Sequence, residues 1–220
     1  MCDVLLKGVS SIKWQSSLRW NYHQQQLDLN SRTLRTKHVR EVTELSVLLG
    51  TTYLTQGGIR INVSTFVTHA SFDPEDAYKN DIAVVKISQS LILSSTIQPV
   101  ILPSQSQYTS AGLTATLIGW GLLYNDGPLS DVLQQVDLLT YSDTECEQLL
   151  YGYPHAHNIC AGVPGGGKGQ CSGDSGGPLL VKGVQIGIVS WAPKPCTEQD
   201  YPEVYTEVSY FISWINRNIA

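Results

Sequence analysis

Apolar residues recur at every second position in three stretches: Ile59, Ile61 and Val63 in IRINVSTFV, Leu113, Ala115 and Leu117 in LTATLIGW, and Val184, Ile186 and Ile188 in VQIGIVSW. Period two is the spacing of a strand with one face buried, so each stretch predicts a half-buried β-strand. Lys182-Gly183 between PLLV and VQIGIV predicts a tight hairpin, and Gly57-Gly58 and Asn125-Asp126-Gly127-Pro128 mark further turns. Many short strands with frequent turns predict a sandwich or barrels. The period changes at the end of the chain. Val208, Phe211, Ile212, Ile215 and Ile219 follow helical spacing and predict an amphipathic helix of about three turns. The segment from 102 to 112, LPSQSQYTSAG, is aperiodic and polar, which makes it the linker between two halves, 1–107 and 108–220.

Composition agrees with this all-β expectation. The 220 residues are 42% hydrophobic and only 15% charged, with 19 glycines and 10 prolines, enough to bury a core and rich in turn formers. A formal charge of −5 argues against a nucleic-acid partner or an anionic membrane surface and leaves a peptide or small molecule. No run approaches the about 20 apolar residues of a membrane span, and MCDVLLKGVSSIKW is too short in apolar residues for a signal peptide. The chain is therefore expected to lack its leader, with residues 1–44 an altered segment. Four of the five cysteines, Cys146, Cys160, Cys171 and Cys196, fall in the last third, which predicts two disulfides with Cys2 as the spare thiol; spacing alone leaves the pairing open. No C-x-x-C or H-E-x-x-H pattern points to a metal. Asn62-Val63-Ser64 is a glycosylation sequon, in keeping with a secreted protein.

The chemistry concentrates in GQCSGDSGGPLL, residues 169–180. A serine nucleophile needs a base, exposure and backbone amides aimed at developing negative charge, and Gly173, Gly176 and Gly177 around Ser175 permit such a backbone. A glycine-rich hairpin with an incidental serine is the plain alternative. Further motifs occur in order: KNDIAVVKI, LIGWG, IVSW and PEVYTEVSYFISWI. Together with GDSGGP they resemble the chymotrypsin/trypsin family of serine endopeptidases from about Leu45 to the end.

The resemblance implies two packed six-stranded antiparallel β-barrels with a C-terminal helix, and peptide-bond hydrolysis through an acyl-enzyme without a cofactor. It implies Ser175 as nucleophile, the amides of Gly173 and Ser175 as the oxyanion hole, and Asp81 as the carboxylate that orients the base. For Asp81 taken alone, a turn or cap residue is the plain alternative. Gapless counting back from VTELSVLLG puts His38 at the family histidine's place. Its surroundings, LRTKHVRE, depart from the family's TAAHC. The alternative for His38 is a solvated histidine in a basic loop with Arg32, Arg35, Lys37 and Arg40, and the charge of Lys37 and Arg40 would lower its basicity. His69 matches a non-catalytic family histidine, and His23, His155 and His157 read as surface residues. The resemblance also implies disulfides Cys146–Cys160 and Cys171–Cys196. It further implies an activation ion pair between Asp174 and a freed IVGG-like end, which Met1-Cys2-Asp3-Val4 does not match, a zymogen-like feature.

The implied specificity pocket is lined by Gly169, Ser172, Ser190, Trp191, Ala192 and Glu203. Trypsin-like members carry aspartate where Gly169 stands. Glu203, at a position commonly glycine, is expected to receive lysine or arginine, to fill the pocket for small side chains, or to rotate away. Expected partners are protein or peptide substrates and protein inhibitors, with a monomeric, secreted enzyme. The competing readings are a catalytically silent homologue that binds a protein, and a misassembled first segment joined to a protease.

Overall fold

The computed structural model describes residues 45–219, together with the strand backbones of Val4–Leu5 (β1), Lys13–Ser16 (β2) and Val39–Glu41 (β3). His38 and Cys2, and His23 with them, lie outside the described residues.

The second half closes on itself. Thr114–Gly119 (β7), Gln134–Thr140 (β8), Asn158–Gly162 (β9), Pro178–Val181 (β10), Val184–Trp191 (β11) and Glu203–Glu207 (β12) form a six-stranded barrel in the order β10-β11-β12-β9-β8-β7, antiparallel throughout. Its interior is apolar, with Ala115, Leu117, Leu138, Ile159, Leu179, Ile186, Val189 and Tyr205 packed together. The predicted hairpin at Lys182-Gly183 is present, both residues at positive φ (49° and 80°), the twist that a two-residue loop between antiparallel strands requires.

In the first half, Leu45–Leu49 (β4), Ile59–Thr68 (β5) and Ala83–Ile87 (β6) join β1 to β3 in a six-stranded sheet, in the order β1-β6-β5-β4-β2 with β3 also on β5. The β1–β6 pair is parallel, which an all-antiparallel expectation does not contain; its long connection makes that pairing feasible. Val47, Leu49, Ile61, Val63 and Ile97 form the core here. Ile59 departs from the predicted alternation and is exposed, because it lies at the sheet end beside the Gly57-Gly58 turn.

A third apolar cluster joins the halves. The C-terminal helix Val208–Ile219 (α2), as predicted, buries Val208, Phe211 and Ile215 against Ile82, Val84 and Ile188. Each such burial stabilises by roughly 1.5–3 kcal/mol. Strand β11 is therefore buried along nearly all its length rather than half-buried: Ile186 and Val189 belong to the barrel core and Ile188 to the core under α2. The segment from 102 to 112 is pinned to α2, with Ser106 N–H donating to Ser209 O at 2.8 Å and Ser213 N–H to Gln105 Oε1 at 2.7 Å. A short helix, Asp143–Leu149 (α1), carries a capping box formed by Ser142 and Glu145, and the Cys146–Cys160 disulfide ties it to β9.

Candidate active site

The loop from Cys171 to Pro178 is shaped by its own backbone bonds. Asp174 N–H donates to Cys171 O, Gly177 N–H to Asp174 O, and Gly176 N–H to Val189 O on β11 at 3.0 Å. Ser175 thus sits at the tip of a turn stitched to β11, with Gly173 exposed beside it. The Asp174 carboxylate is half-buried and accepts from the N–H groups of Gly121 (2.7 Å) and Cys171 (2.9 Å). A Cβ at Gly121 would collide with that carboxylate, so only glycine lets it seat there. A cavity of about 670 Å³ opens next to it, lined among others by Gly119, Gly121, Lys168, Gly169 and Asp174. The chain's amino end, the expected ion-pair partner, lies outside the described residues.

One residue past Val189, the Ser190 hydroxyl donates to Asp81 Oδ2 at 2.8 Å, and Thr206 Oγ1 donates to the Asp81 carbonyl at 2.7 Å. Asp81 is fully buried. Ile82, the next residue, is locked in the cluster under α2, so the carboxylate has a fixed backbone beneath it. Strand β11 therefore serves both loops, holding the turn that carries Ser175 through Val189 and Asp81 through Ser190.

The Cys171–Cys196 disulfide, Cα atoms 5.3 Å apart, fastens the 169–175 segment to the loop after β11. Both expected pairings are present. Between these walls lies Glu203, 3% exposed, at the start of β12. Its Oε2 accepts from the Tyr205 hydroxyl at 2.8 Å, while its Oε1 is buried without a well-aligned hydrogen bond and the Gln170 backbone N–H lies close to the carboxylate. The carboxylate lies directly against Gly169: a Cβ there would overlap Oε1, with Cδ at 2.5 Å and Oε2 at 2.6 Å. Glu203 has thus not rotated away. Burial pushes its carboxyl up to about 7, against the opposing pull of the Gln170 backbone and the Tyr205 hydroxyl; Asp174 raises it further and Lys194 lowers it. Burial also pushes the Tyr205 hydroxyl well above its ordinary value, so it remains a donor. Gln170 Nε2 donates to Trp191 O at 3.1 Å, and Lys194 Nζ to Ser172 Oγ at 3.1 Å. Trp191 and Ala192 are half-buried and Ser172 exposed.

A family model described as Trypsin matches residues 30–215. The chain belongs to the trypsin family. Trypsin-1 of Astacus astacus is 42% identical over 164 residues, 72% of this chain and 67% of that protein. Trypsin alpha-4 of Lucilia cuprina is 36% identical over 216 residues, covering 94% and 82%. Among solved structures, neuropsin, a serine protease expressed in the limbic system of mouse brain, superposes with a TM-score of 0.75 at 28% identity, covering 82% of this chain and 81% of that one. This trypsin-family chain is a serine-type endopeptidase, a hydrolase whose substrates are proteins or peptides. No helix among the described residues is long and apolar enough to cross a membrane.

One expectation for this trypsin-family chain is corrected outright. His157 is buried, not a surface residue: it packs against Tyr210 and Phe211 of α2 and against His155, and its Nε2 accepts from Asn80 N–H at 3.2 Å. His155 is half-buried and reaches Asp76. Both close the seam between the halves, a tertiary role that no local motif announces. Tyr205 and Thr206 were not anticipated as supports of the site. A signal for Tyr205 did exist, since residues 203 and 205 share one face of a strand.

Proposed function

We propose that this chain cleaves peptide bonds with Ser175 as nucleophile, His38 as general base and Asp81 as the carboxylate behind it. Ser175 Oγ attacks the scissile carbonyl carbon as its proton passes to the His38 imidazole. The carbonyl oxygen becomes an oxyanion facing the amides of Gly173 and Ser175, a pair worth about 10²–10³ in rate per donor. Collapse breaks the C–N bond, the amine leaves with the histidine's proton, and water then hydrolyses the acyl-enzyme by the same steps. Asp81 keeps the imidazole in the productive tautomer and stabilises its cation.

The observation that carries this reading is the Asp81–Ser190 hydrogen bond on the strand that also anchors the Ser175 turn. Further support comes from the glycine seat of Asp174, whose expected partner is an ammonium that holds the turn in its active form. The strand end at Ser190, Trp191 and Ala192 is the expected partner of the substrate backbone. The enzyme acts as a secreted monomer, without a cofactor, subject to protein inhibitors, and binds neither nucleic acid nor membrane.

Labelling with a fluorophosphonate tests the assignment. The purified full chain is expected to be labelled, Ser175→Ala to be blank, and His38→Ala to fall to the same floor because triad members act as a unit. Equal labelling of the wild type and Ser175→Ala overturns the nucleophile, and full labelling of His38→Ala overturns the base.

A further inference from the structure

Ser190 on β11 and Thr206 on β12 hold Asp81 directly, and the backbone that leads into it is held from a third place. His157, just before β9, accepts the Asn80 N–H at its Nε2, 3.2 Å away and 77 residues distant in sequence. A nitrogen that accepts an N–H carries no proton of its own, so the proton of the neutral ring sits on Nδ1. That Nδ1 is buried without a well-aligned hydrogen bond among the described residues, and the carbonyl of the same residue is the group close to it. A phenylalanine would pack among the rings of His155, Tyr210 and Phe211 and leave no such donor. What it lacks is the acceptor. The imidazole thus leaves one of its own polar atoms poorly paired and satisfies the backbone next to Asp81.

That backbone needs an outside hold. Ala77, Tyr78 and Asn80 have positive φ, 45°, 55° and 54°, a region that residues with a Cβ enter at a cost and keep only where their surroundings fix it. The second half brackets the loop: His155 Nε2 meets the Asp76 carbonyl at its start, 2.8 Å away, and His157 takes the Asn80 N–H at its end. Within the first half, Asn80 Nδ2 donates to Ser71 O at 2.9 Å. Burial pushes the His157 imidazole down to about 4, and positive charge on His155, His69 or Lys79 pushes the same way. The ring is therefore a neutral acceptor at neutral pH. Resting on the endopeptidase reading, we infer that His157 is a positioning residue for peptide-bond cleavage: by accepting the Asn80 N–H it fixes the peptide that delivers Asp81, and so the aim of the carboxylate at the general base. Ser190 fixes one carboxylate oxygen, whereas His157 fixes the backbone from which the carboxylate projects. A misplacement of about 1 Å at such a group costs about 10²-fold in rate.

The test compares, in the full chain, His157→Phe, which keeps a ring and removes the acceptor, with His157→Gln, whose Oε1 can take the Asn80 N–H. Turnover of a peptide amide is expressed per site titrated to completion with a fluorophosphonate, so unfolded protein does not count. Expected for His157→Phe is a kcat about 10- to 100-fold below wild type with KM within about twofold. The acid limb of its kcat/KM profile should move to lower pH, because a poorly aimed Asp81 stabilises the imidazolium of the base less. His157→Gln should stay within about threefold of wild type and keep its acid limb. A merely structural role would lower the number of titrated sites and leave both kcat per site and the acid limb unmoved. Wild-type kcat per site in His157→Phe, or a His157→Gln as slow as His157→Phe, overturns the inference. Should His157→Phe give no titrated sites, His157→Asn, an amide one methylene shorter, takes its place in the same comparison. A wild-type chain that takes no label sinks the endopeptidase reading instead, and hydrogen exchange over residues 77–82 then decides the positioning. Faster exchange in His157→Phe than in wild type and His157→Gln upholds the hold on the Asp81 backbone, and equal exchange overturns it.

Discussion

Strands β9 and β12 lie side by side, and a group that titrates between about pH 4 and 7 is buried at each end of the pair. At one end is Glu203, opposite Ala161; at the other is His157, just before β9, whose carbonyl accepts from Glu207 N–H. Both favour the uncharged form because burial excludes water, Glu203 up to about 7 and His157 down to about 4. Both keep one atom paired and one without a well-aligned hydrogen bond. Their surroundings separate them. Around His157 stand the rings of His155, Tyr210 and Phe211, which leave the imidazole a joint between the Asp81 loop and the barrel. Around Glu203 stands a glycine that withholds its side chain. The His157 ring is walled by other rings, whereas the Glu203 carboxylate lies against a glycine in the segment that leads to the Ser175 turn.

The largest effect should come from the structural end. His157→Ala removes a buried ring and leaves Asn80 N–H unpaired, for a loss of about 3 kcal/mol, or roughly 6–12 °C in Tm. Affinity for benzamidine, a planar aromatic cation that probes the Glu203 carboxylate, should stay within about twofold. A thermal melt with a parallel titration checks this, and a variant that melts like the wild type would erase the distinction between the two ends.

The next effect has the opposite sign. The value of Glu203 in the fold is raised above its ordinary 4.5, so its contribution to stability is full below about pH 4.5 and is lost as pH climbs through 7. Glu203→Gln is therefore expected to be more stable than the wild type at pH 8, by about 1–3 kcal/mol, with the gain gone at pH 4.5. His157 runs the other way: its lowered value gives stability that is full above about pH 6.5 and is lost as pH falls through 4. Urea midpoints from pH 4 to 8 for both variants would expose a shared sign, which would contradict the assignment of either group.

How much of this was legible in the sequence follows the range of the interactions involved. The strands LTATLIGW and VQIGIVSW, the Lys182-Gly183 hairpin and helix α2 were read from local periodicity and turn chemistry, and they stand where expected. The family followed from GDSGGP, NDIAVVKI and their order. The burial of β11 along its length was not legible, because α2 covers it from a different part of the chain. Nor was His157, whose partners Asn80 and Tyr210 are distant or unmarked in sequence. Helix α1 was missed although Ser142 and Glu145 carry the capping-box spacing, a signal too short to stand out beside the strands. For Glu203 the residue was legible and its orientation was not, since three rotations fit the sequence and only the packing against Gly169 and Tyr205 selects one.

The smallest expected effect sharpens that last point. Tyr205→Phe deletes the one hydroxyl that donates to Glu203 Oε2 and adds no bulk. The hydrogen bond favours the ionised carboxylate, so its loss should raise the Glu203 value further above about 7 and move the pH at which benzamidine binding strengthens upward by about one pH unit. At pH 9 and above the affinity should return close to that of wild type, because the carboxylate itself is intact. A uniform loss of affinity at every pH would instead mean that Tyr205 braces the side chain mechanically, and an unmoved midpoint would mean that burial by the glycine-lined walls alone sets the proton's hold on Glu203.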